Sequence, residues 1–99
     1  MSSEVVEIWV EGLWLRHRTR TPLRTLRKIA EKGYSAYLRW GSGWVHLLPE
    51  DVARLAEGRP AVVPFFLEHP RHSGTKAYTH VTLTPEDLAA RTQEEVKEG

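Results

Sequence analysis

The residues best suited to chemistry in this chain are aromatic and basic side chains in its first half. Residues 34–48, YSAYLRWGSGWVHLL, hold two of the three tyrosines and two of the four tryptophans. They follow an arginine-rich segment, residues 16–28, RHRTRTPLRTLRK. Cations hold phosphate groups, and flat rings stack on unpaired bases. The combination is therefore typical of a surface that binds a single-stranded nucleic acid.

The candidate binding residues divide into two groups by their chemistry. Phosphate contacts are expected from the basic side chains Arg16, Arg18, Arg20, Arg24, Arg27, Lys28 and Arg39. Stacking and polar contacts to bases are expected from Tyr37, Trp40, Trp44, His46 and Tyr78. Arginine suits this task because its planar guanidinium forms paired hydrogen bonds with phosphate and also stacks on bases. Three alternatives stay open: a solvated basic helix, a flexible polar loop at 16–20, and a Trp40–Trp44 clamp that only stabilises a hairpin.

The positive charge is concentrated in one stretch of sequence. The whole chain has a net charge of +1. Residues 12–49 contain eight Lys or Arg residues and one acid, Glu31, for a local net charge of +7, whereas residues 1–11 and 50–99 each sum to −3. A basic block in an almost neutral chain can form one positive face for an anionic partner.

The histidine, glycine and acidic patterns give little support to catalysis or metal binding. His69 and His72 are close in sequence, but Pro70 prevents the helical spacing that would place both on one metal ion. The Gly-Ser-Gly segment at 41–43 lacks the length, lysine and following helix of a phosphate-binding loop, so a hairpin turn is favoured. The basic block contains no acidic cluster of the kind that a metal-dependent nuclease needs. The sequence therefore predicts a protein that is not an enzyme, without catalytic residues, cofactor or metal.

Composition predicts a single nucleic-acid-binding domain, 1–99, with a modest core. The sequence shows no apolar run long enough for a membrane helix and no apolar signal segment, so a cytoplasmic location without a membrane partner is expected. Asparagine is absent, glutamine occurs once, and arginine outnumbers lysine ten to four. This pattern is typical of thermophile sequences, although a GC-rich genome also favours arginine.

Periodicity predicts a first strand over residues 5–15, with Trp14 on its apolar side and Trp9 on the other. Residues 16–20 would connect it to a helix that begins at Thr-Pro, residues 21–22, and stops at Gly33. A hairpin of residues 34–40 and 44–48 would follow, with a three-residue loop that places Trp40 opposite Trp44. A second helix is expected at 49–58.

The second half of the chain completes the predicted fold. A strand at 61–67 contains Pro64 and is expected at a sheet edge or at a bulge. A loop at 68–75, a strand at 76–83 and a last helix at 85–97 would follow. The element order β-α-β-β-α-β-β-α predicts an α+β fold, with an antiparallel sheet of four to five strands and helices packed mainly on one face.

This layout resembles the archaeal ThermoDBP-related single-stranded DNA-binding proteins. The resemblance covers nearly the whole chain and rests on the small α+β arrangement, the basic helix after residues 21–22, and residues 37–45, YLRWGSGWV. It implies an ssDNA cleft lined with basic and aromatic side chains, and assembly into dimers or higher oligomers. One departure is that family members with a leucine-zipper tail carry apolar heptads, whereas 84–99 has only Leu88 and Val96 as large aliphatic residues. Any oligomer would therefore use another surface.

Together these observations predict a sequence-independent ssDNA-binding protein that tolerates RNA. A homodimer or dimer of dimers is expected, with the strand in a groove between subunits, because Trp9 and Phe66 fall outside the predicted apolar faces. Two alternatives are a small RNA-processing enzyme or ribonuclease toxin that uses histidine and arginine, and a protein-interaction module with exposed tryptophans.

Overall fold

An antiparallel sheet of six strands is the framework of the molecule, for which a computed structural model describes residues 5–68 and 76–88. The elements are β1 (Val6–Val10), β2 (Leu15–Thr19), α1 (Pro22–Glu31), β3 (Ala36–Trp40), β4 (Gly43–Leu47), α2 (Pro49–Ala56), β5 (Ala61–Phe66) and β6 (Thr79–Leu83). The strand order is β2-β1-β3-β4-β5-β6. The α+β class is confirmed, and the expected four to five strands are corrected to six.

The additional strand comes from the first predicted strand, which is in fact a hairpin. The chain reverses at residues 11–14, where Gly12 and Trp14 both have positive φ angles, +89° and +53°. The backbone N–H of Trp14 donates a hydrogen bond to the carbonyl of Val10, at 2.7 Å. Residues 15–19 form the edge strand β2, although a connecting segment was predicted at 16–20. That prediction was wrong because alternation of apolar residues looks the same in one long strand and in two strands joined by a short turn.

Helix α1 confirms the local signals in its sequence. It begins after Thr21 with Pro22 at its first position, and the chain leaves it at Gly33, whose φ is +85°. Leu26 and Ile29 are buried under it. The basic residues on its exposed side are Arg24, Arg27 and Lys28.

The core lies between the two helices and one face of the sheet, called here the helix face. Ile8, Leu38 and Val45 from the sheet meet Leu26 of α1 and Leu55 of α2 in one buried cluster. The helices contact each other and strands β1, β4 and β5. Residues 85–88 are also helical, and their start has a hydrogen-bonded cap in which the backbone N–H groups and side chains of residues 84 and 87 pair reciprocally. The predicted continuation to residue 97 and most of the predicted 68–75 loop lie outside the described residues.

The β3–β4 hairpin has a different register from the predicted one. Trp40 pairs with Gly43, and Trp44 pairs with Arg39. The prediction that Trp40 lies opposite Trp44 was wrong because the turn has two residues, with Gly41 at φ +60°, and not three. A shift of one residue moves a side chain to the other face of the sheet. Trp40 therefore points to the helix face and Trp44 to the opposite face.

Strand β5 is an interior strand, so its predicted edge position was also wrong. It pairs with β6 from Ala61 to Phe65. Its ladder with β4 covers only Trp44–Phe66 and Val45–Phe65. This ladder ends at Pro64, which has no backbone N–H to donate. The proline thus shortens one ladder without removing the neighbouring strand. Within the described ranges, no helix has the length and apolar character needed to cross a membrane.

Candidate nucleic-acid interface

The face of the sheet turned away from α1 and α2 is called the open face. Residues directly opposite each other in antiparallel strands share a face, so the pairing register assigns its members. They are Arg16 and Arg18 of β2, Glu7 and Trp9 of β1, Tyr37 and Arg39 of β3, Trp44 and His46 of β4, Val62, Pro64 and Phe66 of β5, and His80 and Thr82 of β6. Half of the aromatic and imidazole rings and three of the cations in the described chain therefore share one surface.

One row of side chains crosses four strands of this face. Arg16 lies opposite Trp9, Trp9 lies opposite Tyr37, and Tyr37 lies opposite His46. Neighbouring strands are about 4.8 Å apart, so this row is roughly 14 Å long. A cation at the edge strand is followed by the half-buried ring of Trp9, the buried ring of Tyr37 and the half-buried ring of His46.

Tyr37 is the centre of a cluster of rings. Its ring centroid is 4.3 Å from that of His46, with an interplanar angle of 13°. Trp14 lies 6.0 Å away at 17°, and Phe66 meets Tyr37 edge-on at 5.9 Å. Tyr37 itself is only 8% exposed, whereas the other three are half-buried. Tyr37 is therefore the floor of the cluster, and its neighbours keep surface that a ligand can reach.

Trp14 reaches the open face through an unfavourable backbone conformation. In the described chain it is the sole residue other than glycine with a positive φ, +53°. This left-handed conformation costs a side-chain-bearing residue about 1–2 kcal/mol. The sequence predicted Trp14 on the apolar side of the first strand, and the turn overturns that prediction. Gly12, two residues earlier, is the one sequence signal that marks the turn.

Trp44 and Arg39 form a second unit on the open face. The guanidinium carbon of Arg39 is 5.2 Å from the centre of the Trp44 ring, a cation–π contact. Arg39 also donates a hydrogen bond from Nε to the carbonyl of Gly41, at 3.2 Å. Trp44 is only 4% exposed, so it supports Arg39 from below and offers little ring surface of its own. Arg39 is exposed and holds its charge above this ring.

The β1–β2 end of the open face combines positive charge with one carboxylate. The indole Nε1 of Trp9 donates a hydrogen bond to Glu7, at 2.7 Å. Arg16 lies 3.9 Å from the same carboxylate. An exposed ion pair at this distance contributes little to stability. Arg16 and Arg18 thus remain exposed cations at the edge of the row.

His46 forms the one close acid–base pair on this face that the structure describes. Its Nε2 is 2.8 Å from Oε1 of Glu11, which belongs to the β1–β2 turn. Burial, and secondarily the negative charge of Glu11, raises the pKa of Tyr37 above its ordinary value. The carboxylate fixes the His46 ring in its stack on Tyr37. A carboxylate–imidazole pair is also an arrangement found in acid–base catalysis.

The fold separates the residues that the sequence grouped as one site. Those on the open face are Arg16, Arg18, Tyr37, Arg39, Trp44 and His46. Those on the outer surface of α1, on the other side of the sheet, are Arg24, Arg27 and Lys28. Trp40 is half-buried against the core on the helix face. Arg20 is exposed after β2, and Tyr78 is exposed just before β6, where its N–H bonds the carbonyl of Phe65. The predicted binding residues did not include four members of the open face: Trp9, Glu11, Trp14 and Phe66.

In residues 5–68 and 76–88, no group of three or more His, Cys, Asp or Glu side chains is arranged to hold a metal ion. No protein-family model, curated protein or solved structure matches the chain. The resemblance to the ThermoDBP-related proteins therefore stays a prediction.

Proposed function

We propose that the open face binds single-stranded nucleic acid and that the protein is a sequence-independent ssDNA-binding protein that tolerates RNA. The observation that carries this proposal is the row from Arg16 through Trp9 and Tyr37 to His46, with half-buried rings on a face that neither long helix covers. Stacking on a ring does not depend on base identity, because every base has a π face. Sequence independence follows from this chemistry.

The rings have different roles in this proposal. Tyr37 and Trp44 are too buried to stack on a base, so they support the layer above them. Trp9, Trp14 and His46 are half-buried and present the accessible ring surface. The exposed arginines of β2 and β3 contact phosphates on either side of these rings. Two carboxylates on the same face keep its net positive charge small, so stacking must supply much of the affinity.

The test is binding of a fluorescein-labelled oligo-dT of about five nucleotides, a length within the range of small ssDNA sites, followed by anisotropy. Trp14→Ala is expected to weaken binding by about 1–3 kcal/mol, the value of one stacked base. The matched control is Leu48→Ala, which removes an exposed apolar side chain just before α2. Thermal melting verifies that both variants are folded. Equal affinities for wild type and Trp14→Ala would remove the ring cluster from the site.

A second candidate function rests on the 2.8 Å contact between His46 and Glu11. In a metal-independent ribonuclease, a base takes the proton of the RNA 2′-OH, this oxygen attacks the adjacent phosphorus, and an acid protonates the departing 5′-oxygen. His46 is held by Glu11 and lies opposite Tyr37, and the exposed Arg39 is two residues beyond Tyr37 on β3. An imidazole in this setting has the chemistry for one of these proton transfers. We propose this activity as the alternative to simple binding.

The two candidate functions differ in their requirement for the 2′-OH. RNA and DNA oligonucleotides of the same sequence are incubated with the protein and resolved on a denaturing gel. A binding protein leaves both intact and retards both on a native gel. A ribonuclease cleaves RNA alone, leaves a 2′,3′-cyclic phosphate, and loses this activity in His46→Ala. Cleavage that survives this substitution would come from a contaminating enzyme.

We also propose a homodimer that forms through the β6 edge of the sheet. Within the described residues, the sheet has β2 and β6 as its two edges, and an edge strand offers unpaired backbone groups to another chain. Self-pairing of β2 about His17 would put Arg16 opposite Arg18 of the second copy, and like charges directly opposite are unfavourable. Strand β6, THVTL, has no Lys, Arg, Asp or Glu. Pairing there would extend the open face across two subunits. Light scattering is expected to give twice 11.4 kDa, and Thr82→Lys is expected to restore the monomer.

A further inference from the structure

We infer that a long single strand leaves the open face over the edge strand β2 and enters a second site, the groove between β2 and α1. This inference rests on the proposed function, and it adds a binding site on the opposite side of the sheet. We call the site the β2–α1 groove. It is lined mainly by Leu13, Leu15, His17, Lys28, Lys32 and Tyr34, and its volume is about 430 Å³.

The groove has the composition of a nucleotide site. Its volume lies in the ordinary range of ligand pockets, about 300–1,000 Å³. Leu15 is 55% exposed and Tyr34 is 40% exposed, so an apolar surface and a ring face solvent together. Lys28 and Lys32 lie one helical turn apart and therefore on the same flank of α1. Among the residues that the structure describes, no Asp or Glu lines the groove, so the charged side chains that a phosphate would meet in this lining are lysines.

A comparison with the neighbouring groove shows that charge, and not size, makes this site distinctive. The groove between α1 and α2 has a similar volume, about 420 Å³, but its lining includes Glu31 and Glu57 beside Arg27. These carboxylates would repel a phosphate backbone. Of the cations of α1, Lys28 lines the β2–α1 groove, Arg27 lines the other groove, and Arg24 lines neither.

The edge strand β2 joins the two proposed sites. Side chains alternate along a strand, so Arg16 and Arg18 lie on the open face while His17 lies on the helix face and lines the groove. Residues 15–18 are all exposed. A backbone that crosses this edge would meet positive or protonatable groups on both sides. The cations of residues 16–28 lie on both sides of the sheet. Along this path, one strand of nucleic acid would contact cations on both sides.

The test compares two labelled oligo-dT lengths, about five and about 15 nucleotides, both within the range seen for small ssDNA sites. The double variant Lys28→Ala/Lys32→Ala is expected to bind the short oligonucleotide like the wild type. It is expected to bind the long one more weakly, with a log–log salt slope shallower by about 1.4, since each phosphate contact on a single strand adds about 0.7. The control Arg24→Ala/Arg27→Ala removes the same charge from the same helix and should change neither.

Each result decides between the two proposals. If the wild type binds both lengths and Lys28→Ala/Lys32→Ala binds the long one normally, the groove is not a nucleic-acid site and the open-face proposal stands. Equal weakening by Arg24→Ala/Arg27→Ala would assign the effect to net charge and overturn the inference. If the groove instead contacts a second copy of the chain, Lys28→Ala/Lys32→Ala would lower the molar mass in light scattering and leave the affinity for both oligonucleotides unchanged. That result would also overturn the inference. Failure of the wild type to bind either length would overturn the proposed function itself.

Discussion

The salt dependence of short-oligonucleotide binding is the most direct test of the open face, and the double variant Arg16→Ala/Arg18→Ala is the perturbation. In the part of the chain that the structure describes, three exposed arginines, at positions 16, 18 and 39, lie on this face. If each contacts one phosphate, the slope of log K against log salt is about −2, from about 0.7 per contact. The affinity would then fall about 18-fold between about 50 and 200 mM salt.

The double variant is expected to retain one phosphate contact, through Arg39. Its slope should be about −0.7, so its affinity should fall only about 2.6-fold over the same range. The fold should tolerate the change because both side chains are exposed and the 3.9 Å contact of Arg16 with Glu7 is an exposed pair of little energetic value. Anisotropy titrations of a dT oligonucleotide of about five nucleotides at four salt concentrations give the slopes.

The control for this experiment is Arg54→Ala/Arg59→Ala. Both of these arginines are exposed in or just after α2, away from the open face. This variant has the same net charge as the test variant, so a slope that depends on total charge would change equally in the two. The same slope in the wild type and in Arg16→Ala/Arg18→Ala would refute the assignment of these residues to phosphate.

Three further predictions concern the framework of the site. Trp14→Gly should be more stable in urea denaturation than Trp14→Ala, by about 1 kcal/mol, because glycine relieves the strain of the positive φ. At Leu13, whose φ is not positive, the alanine variant should be more stable than the glycine variant. The same order of stability at both positions would contradict the strain argument. Gly43→Ala should lower the free energy of unfolding by about 1–3 kcal/mol, since a β-carbon there would meet the backbone and a ring of β5; an unchanged urea midpoint would show that β5 can move away. Because the pKa of Tyr37 is raised in the folded chain, the stability that its protonated form contributes is present below about pH 10 and is lost as the pH rises through the folded-state value. Tyr37→Phe should therefore lose less Tm than the wild type between about pH 9 and 11, and Tyr78→Phe, at an exposed tyrosine, should follow the wild type.

Features with local causes were predictable from the sequence, and α1 is the best example. Its start depends on Pro22 at the first helical position, and its end depends on Gly33, which adopts a positive φ. Both signals act within a few residues of the boundary they set. The buried residues Leu26 and Ile29 follow from the spacing of apolar residues along the same helix. No contact distant in sequence is needed for any of these features.

The β3–β4 register was not predictable because its cause is distant in sequence. Gly41 and Gly43 both resemble turn residues, so loops of two and three residues fit the pattern equally well. Gly43 is in fact a strand residue. A β-carbon at this position would collide with the Phe66 carbonyl and the Phe65 ring of β5. Its glycine therefore serves close packing against a strand about twenty residues later, and that requirement decides which face Trp44 occupies.

The basic block shows why clustering in sequence does not establish clustering in space. The sheet separates Arg16 and Arg18, on the open face, from Lys28, on the outer side of α1. A sheet with helices on one side divides such a segment when the cations of its strand part point away from the helices. The two halves can act on one ligand only where the sheet ends. Strand β2 is that edge, and its exposed His17 turns toward the groove that contains Lys28. A strand of nucleic acid that wraps this edge would restore in space the continuity that the block has in sequence.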